Sequence, residues 1–279
     1  MLTRSGAGLD ATGVTRVAGD AGDLATVTRH AQGATAIINC ANPKYHRWLI
    51  DWPPVANALL GSAVATGATL VTLSNLYAYG DVTTPMTPDI PLNATYAKAQ
   101  VRASMWRDAL TRHEAGDARV VELRASDFIG AHSQSLFTSP LVPRLLKGKS
   151  VFVLGSPDAA HSWTYVGDVG RCLAAAALDS TSWGRPWHVV TNPAKTAREV
   201  FDDLADTAGV ARVPVRRLAP WVTTAVGLVK PEVAELKYTR YQFEEPFVIN
   251  DDETRAHFGF GPTPWEDVVR DTLSPFSIG

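Results

Sequence analysis

The chain has 279 residues, enough for one large domain or for a larger domain with a smaller lobe, and its pattern fits the second division better. Apolar residues at 46% and charged residues at 19% are those of a packed globular protein, excluding a largely disordered chain, and nothing in them suggests a nucleic-acid-binding surface. The net charge of -2 favours no class of macromolecular partner.

Met1-Leu-Thr-Arg-Ser-Gly6 reads as the end of a strand, because an apolar start gives way to polar and glycine residues. The glycine-rich stretch Ser5 to Gly13 invites comparison with a phosphate loop. Such a loop needs a strand before it and a helix amino terminus after it, where free amides and the helix dipole meet the anion. Here the strand-like Val14-Thr-Arg-Val-Ala-Gly19 follows instead, so a linker is expected. Asp23 precedes the helical run Leu24 to Ala31 and suits its cap. Thr35-Ala-Ile-Ile-Asn-Cys40 is a buried strand, stopped after Ala41-Asn by Pro43. Tyr45, His46, Arg47, Trp48 and Trp52 then form an aromatic and basic loop, whose rings act as packing anchors or as contacts for a substrate ring. A helix from about Pro54 to Thr66 follows, with one buried face marked by Val55, Leu59, Leu60 and Val64.

The run from Thr69 to Gly80 organises the rest. Its β-branched residues and leucines read as a buried parallel strand, whose carboxyl end delivers Ser74 and Asn75 into the crevice where ligands of open α/β sheets bind. A proline-rich loop, Asp81 to Pro91, leads to a helix from about Ala94 to His113, and Ala118 to Ser126 is the next strand. Leu141 to Leu146 reads as helical, Val151-Phe-Val-Leu154 as a short strand, and His161 to Val169 as a turn into a helix ending near Leu178. Thr196-Ala-Arg-Glu199 is a capping box that opens a helix to Ala208. Helices over Pro220 to Val229, Val233 to Tyr241 and Pro264 to Leu273 complete a helical carboxyl lobe. Cys40 and Cys172 are too few for a disulfide framework, so reduced thiols and a cytoplasmic location are expected. No run approaches the roughly 18 apolar residues of a membrane span. The histidines are scattered without a His-x-x-x-His or paired-cysteine motif, so no metal is expected.

Several motifs stand in one order: Gly19-Asp20-Ala-Gly-Asp23, Tyr79-Gly80, Leu123-Arg124 with Asp127 and Gly130, and Tyr165-Val-x-Asp168. On these the chain resembles the extended short-chain dehydrogenase/reductase superfamily, in its NAD-dependent epimerase/dehydratase branch. The resemblance implies an α/β fold, a Rossmann-like parallel sheet flanked by helices, without the first strand, its Gly-x-x-Gly-x-x-Gly turn and the first helix. Residues 1–130 would be a truncated NAD(P)-binding domain and 131–279 a smaller, mostly helical substrate lobe, with 164–190 returning to the Rossmann core. The missing strand would be the central one, between the strands at Met1 and Thr35. The resemblance also implies NADP or NAD as cofactor, a small carbonyl or sugar-type substrate and a homodimer, with no nucleic acid and no membrane as partner. Arg4 either pairs with the 2′-phosphate of NADP or is solvated. Asp20 would lie near the adenine, Cys40 and Ala41 along the cofactor, and Ser74 and Lys98 against it. Tyr77, Asp127 and His132 would meet the substrate.

In the superfamily a tyrosine exchanges the proton, a lysine four residues later lowers its pKa, and a serine polarises the carbonyl. A phenol of pKa about 10 needs a nearby cation to act at neutral pH. In this chain the serine position falls on Asn75, the tyrosine position on Lys98 and the lysine position on Arg102, which leaves two cations and no phenol on the helix. Tyr96 is about 200 degrees round the helix from Lys98. Three readings follow. One is an atypical enzyme, with Tyr77 or Tyr79 as acid/base, Asn75 as carbonyl donor and Lys98 or Arg102 as the electrostatic clamp. Another is a non-catalytic, NmrA-like nucleotide sensor. The last is an inactive, N-terminally truncated fragment, which is compatible with either of the others.

Overall fold

The computed structural model describes residues 1–82, 85–133, 135, 140–219, 221–222 and 238–276. Helices expected over 220–229 and 233–241 lie for the most part outside them. The chain forms two compact units. One holds Met1–Ser74, Ala94–Leu123 and Leu173–Pro186, and the other Asn75–Asn93, Arg124–Cys172 and Trp187–Gly279.

In the first unit, β1 (Leu2–Thr3) pairs in parallel with β2 (Val17–Ala18), and α1 (Leu24–Ala31) follows. β3 (Ala36–Asn39), α2 (Trp48–Thr66) and β4 (Thr69–Ser74) come next, with β3 and β4 parallel in the register Ala36↔Thr69 to Asn39↔Thr72. α3 (Ala97–Glu114) leads to β5 (Val120–Arg124). β4 is an interior strand, with Val71 fully buried, because its apolar β-branched run suits a sheet covered by helices. β1 and β2 form a ladder of their own, separate from the sheet that holds β3, β4 and β5. α1 packs on α2, where the hydroxyls of Thr28 and Ser62 meet at 2.9 Å.

α2 starts six residues before the expected Pro54, at Trp48, and runs through Pro53 and Pro54. Burial explains the difference, since Trp48 and Trp52 are 5% and 1% exposed and hold the first turns down. The prolines withhold two amides from the carbonyls of Leu49 and Ile50, and both of those residues are exposed, so water can serve them. Gly67 ends α2 in the left-handed region at φ 71°, its amide on the Ala63 carbonyl.

In the second unit, β6 (Asp127–Ile129) follows the end of β5, then α4 (Val142–Leu146) and β7 (Val151–Val153). β8 (Ala160–His161) and β9 (Trp163–Tyr165) lead into α5 (Val166–Leu178), whose later turns belong to the first unit. β10 (Pro186–His188), β11 (Lys195–Thr196), α6 (Ala197–Ala208) and β12 (Val215–Arg217) come next. The last helices are α7 (Tyr241–Glu244), α8 (Asp252–Phe258) and α9 (Trp265–Leu273). β6 pairs in parallel with β9, β7 in parallel with β12, and β8 antiparallel with β11. The expected capping box is present at α6: Thr196 Oγ1 accepts from the Glu199 amide and Glu199 accepts from the Thr196 amide. Leu145, Val151, Phe201, Leu204, Val268 and Val269 centre this unit's core.

Candidate functional site

In the first unit the carboxyl end of β4 meets α3. Arg102 Nη2 donates to the Leu73 carbonyl at 2.8 Å, and its guanidinium lies over the rings of Trp52 at 4.6 Å and Trp48 at 6.0 Å. Lys98 stands one turn earlier on the same face of α3, its Nζ 3.8 Å from the centroid of the Tyr45 ring. Both cations are buried, Lys98 at 5% and Arg102 at 3% exposure. The rings are packed against one another, Tyr45 edge-on to Trp48 at 4.9 Å and Trp48 to Trp52 at 6.1 Å, while Trp48 Nε1 donates to the Pro43 carbonyl. The aromatic loop therefore packs on the two cations.

Ser74 ends β4 and is buried. Asn39 turns the chain after β3 by accepting the Ala41 amide at 3.1 Å, leaving Cys40 exposed. Arg4 is exposed just past β1. Asp20 Oδ1 accepts from the Gly22 amide at 2.9 Å, and Asp23 caps α1 by accepting from the Ala25 amide and the Thr26 hydroxyl. The Thr26 hydroxyl in particular holds the Asp23 carboxyl below the ordinary carboxylate range.

In the second unit, Asn75 Oδ1 accepts the Tyr77 amide at 3.1 Å and opens the short 3-10 turn Tyr77–Tyr79. The amide nitrogen of Asn75 is left available to donate. Tyr77 is half-buried, whereas Tyr79 is 1% exposed. Arg124 Nη1 donates to the Tyr79 oxygen at 2.8 Å and to the Pro88 carbonyl at 3.0 Å, with its guanidinium 5.0 Å from the Tyr79 ring. His188 Nε2 lies 2.9 Å from the same oxygen, and its Nδ1 lies 2.8 Å from the Asn250 carbonyl. Burial, with the Arg124 charge adding a little, pushes His188 down to about 4, so the ring is neutral. Nδ1–H then donates to Asn250, and Nε2 accepts from Tyr79.

Asp127 opens β6 with a side chain 28% exposed, its Oδ2 2.8 Å from His161 Nε2. His161 is buried, stacks on Phe243 and Phe247, and sets its Nδ1 3.1 Å from the Gln242 carbonyl. His132 is exposed with φ 55°, in the left-handed region. The turn before it is pinned by Asp271, which accepts the Ala131 amide at 2.8 Å, and burial followed by Asp271 raises the Tyr165 phenol above its ordinary value. Asp168, wholly buried, accepts from Arg171 and from the amide and hydroxyl of Thr263. It is a staple for the segment before α9.

Of the residues singled out in the sequence, Lys98 and Arg102 thus share one face and one aromatic cover. Asp127 is joined to His161. His188 was missed because it sits in the apolar stretch Trp187 to Val190 without a motif of its own. Tyr45 was seen only as a loop aromatic, since nothing in its spacing pairs it with Lys98.

The model of the NAD dependent epimerase/dehydratase family matches residues 3–189. This chain belongs to that family. A search of curated proteins returned no match. Among solved structures, the epimerase/dehydratase family member is similar to MoeE5 in complex with UDP-glucuronic acid and NAD, with TM-score 0.77, 19% identity, and coverage of 98% of this chain and 88% of that one. It is also similar to the Bordetella bronchiseptica enzyme WbmH in complex with NAD+, with TM-score 0.74, 19% identity, and coverage of 99% and 88%. A dTDP-glucose 4,6-dehydratase double mutant, DesIV from Streptomyces venezuelae, aligns with TM-score 0.71 at 20% identity over 92% of this chain and 79% of that one. These likenesses establish the α/β fold.

The family implies a dinucleotide, and the residues of the first unit fit it in part. The β2–α1 junction has strand, glycines and helix in the order that a phosphate would use. Its amides at Gly22 and Ala25 are already taken by the carboxylates of Asp20 and Asp23. A hydroxyl or amino group suits this turn and a pyrophosphate does not. The glycine-rich residues 5–13 lie between β1 and β2, as their order in the sequence indicates, with no helix after them. Among the described residues no cluster of three or more His, Cys, Asp or Glu could hold a metal, and no helix is long and apolar enough to cross a membrane.

Proposed function

We propose that this family member is an NAD(P)-dependent enzyme of the epimerase, dehydratase or reductase type, acting on a small carbonyl or sugar-type substrate with an altered set of proton-handling residues. The observation that carries the reading is the pair of buried cations on α3, one of which is hydrogen-bonded at the carboxyl end of β4. The carboxyl ends of strands are where open α/β sheets bind ligands, and two cations on one helix face there suit an anionic or polarised group.

The structurally similar proteins were solved with NAD and with UDP-glucuronic acid, which supports NAD(P) and a sugar-type ligand here. Asp20 suits the donors of the adenosine end, Arg4 a 2′-phosphate, and the exposed Cys40 and Ala41 the run along the cofactor. Ser74 and Lys98 serve its nicotinamide end, where NAD(P) when bound supplies hydride acceptance or donation. In the second unit, the Asn75 amide suits donation to a substrate carbonyl, and in the first unit Lys98 and Arg102 suit the stabilisation of developing negative charge. Tyr77, Asp127 and His132 meet the substrate. Tyr79 is a positioning residue for the loop after β4, its oxygen engaged by Arg124 and His188.

The test is turnover. Full-length protein is incubated with NAD(P) and a panel of carbonyl compounds and sugar nucleotides, and Asn75→Ala and Lys98→Ala are each expected to cut the rate by about 100-fold or more. A non-catalytic, nucleotide-sensing role is the second reading, favoured by the engagement of Arg102 with the Leu73 backbone. It gains if the cofactor is never oxidised or reduced with any compound tried.

A further inference from the structure

We propose that the outer face of the β7–β12 ladder docks on an anionic lipid surface, through the cations of Arg144, Lys147, Lys149 and Arg216 and the rings of Phe152 and Trp221. β7 and β12 run in parallel with Phe152 beside Arg216, and both of these side chains are exposed while Val151, Val153 and Val215 enter the core. α4 and the turn after it bring the other three cations to this face. Arg144 donates from Nε and Nη2 to the Ser150 carbonyl at 3.2 and 3.0 Å, which holds its guanidinium 5.9 Å from the Phe152 ring. The turn passes through Gly148 at φ 66° and returns the amides of Lys147 and Lys149 to the Arg144 carbonyl. Leu218 continues β12 by donating its amide to the Val153 carbonyl, and Trp221 follows shortly after. None of the six is among the residues assigned to cofactor or substrate.

All four cations are exposed, and among the described residues none of them meets a carboxylate. The acids packed nearby are already matched. Asp158 pairs with Arg198, which also donates to the Val215 carbonyl, and Glu244 pairs with both Arg217 and Arg240. Asp202 and Asp206 are held by Arg212. Uncompensated positive charge is thus gathered on one face of a chain whose formal net charge is -2. The rings decide the kind of partner. Phe152 is 41% exposed and Trp221 72%. An acidic polypeptide would match the cations and leave both rings in water. At a lipid surface the phosphates meet the Lys and Arg side chains while aromatic rings settle among the headgroups, so both parts of the face are used. The contact is a surface one, since no helix among the described residues is long and apolar enough to cross a membrane.

The experiment is sedimentation of the whole protein with vesicles of phosphatidylserine and phosphatidylcholine in equal parts, beside vesicles of phosphatidylcholine alone. The wild type should sediment with the first and not with the second, and about tenfold less at about 500 mM salt than at about 50 mM, because salt screens exposed charge. Lys147→Glu and Lys149→Glu should each weaken binding at least about fivefold, and Phe152→Ser should weaken it by a similar factor. Arg29→Glu, at an exposed position on α1 and with the same change of charge, should leave it in place. Circular dichroism identifies any variant that fails to fold, and the lipid and salt comparisons on the wild type need no variant. A wild type that stays in the supernatant with both vesicles, that sediments equally with both, or that loses as much binding through Arg29→Glu as through Lys149→Glu overturns the docking. Binding of polyglutamate that is tighter than binding of the vesicles and unchanged in Phe152→Ser would assign the face to an acidic polypeptide and overturn the lipid reading.

Discussion

Tyr79 gives its phenolic proton to Nε2 of His188 across 2.9 Å, and Arg124 donates to the same oxygen from 2.8 Å. Three side chains that could each have been reactive are instead consumed by one another in the interior of the second unit. Their chemistry is structural, and it makes stability depend on pH.

Burial lowers His188 from 6.5 to about 4 in the folded protein. The unfolded chain therefore binds the proton first as pH falls, and the folded state loses ground between the two values. The stability present at neutral pH should decline by about 3 kcal/mol between about pH 6.5 and about pH 4 from this group alone. Urea unfolding across that range should show a steeper loss in the wild type than in His188→Gln. Equal slopes would contradict the assignment of a neutral ring.

Asp168 supports a second expectation. It is fully buried, with Arg171 on one oxygen and both donors of Thr263 shared between the two. Asp168→Asn replaces an acceptor by a donor facing an amide, and should cost about 3 kcal/mol by chemical denaturation. A loss below about 1 kcal/mol would mean that the staple is dispensable.

The fold was legible where local pattern and tertiary need agree. The apolar run of β4, the helix at Leu24–Ala31 with its Asp23 cap, and the capping box at Thr196 and Glu199 all lie where the sequence places them. α2 began early because burial of Trp48 and Trp52 outweighs the proline signal, a contact that the local sequence does not contain. The motif Tyr165-Val-x-Asp168 was visible, but its reason, the tie to Thr263, is long-range. Site chemistry was legible by residue type at Asn75, Lys98 and Arg102. Their surroundings were not: the Tyr45 ring over Lys98 joins positions far apart in sequence on two elements, and no periodicity reports such a pair.

The turn at Gly130 and His132 separates strain from packing. His132 has φ 55°, a region that costs a non-glycine residue about 1 kcal/mol, so His132→Gly should leave the melting temperature unchanged or raise it while lowering turnover. Gly130 has φ 125°, and a Cβ there would stand 2.8 Å from Val166 Cγ2. Gly130→Ala should therefore destabilise by about 2 kcal/mol or more. Reversed signs in the two melting curves would show that the turn is relaxed.

Arg102→Met removes the donor to the Leu73 carbonyl and the cation over Trp52. A loss of about 2 kcal/mol is expected in urea unfolding, with Arg102→Lys recovering part of it. No change would mean that the guanidinium is held for a ligand alone.

Binding of the dinucleotide bears most directly on the whole account, and NADPH fluorescence titrated with the full chain measures it. A saturable change is expected, weak and on the order of millimolar because carboxylates occupy the amides of the Asp20–Asp23 turn, and about tenfold weaker in Lys98→Ala. A wild type that never saturates, or curves that are identical with and without the lysine, would contradict it.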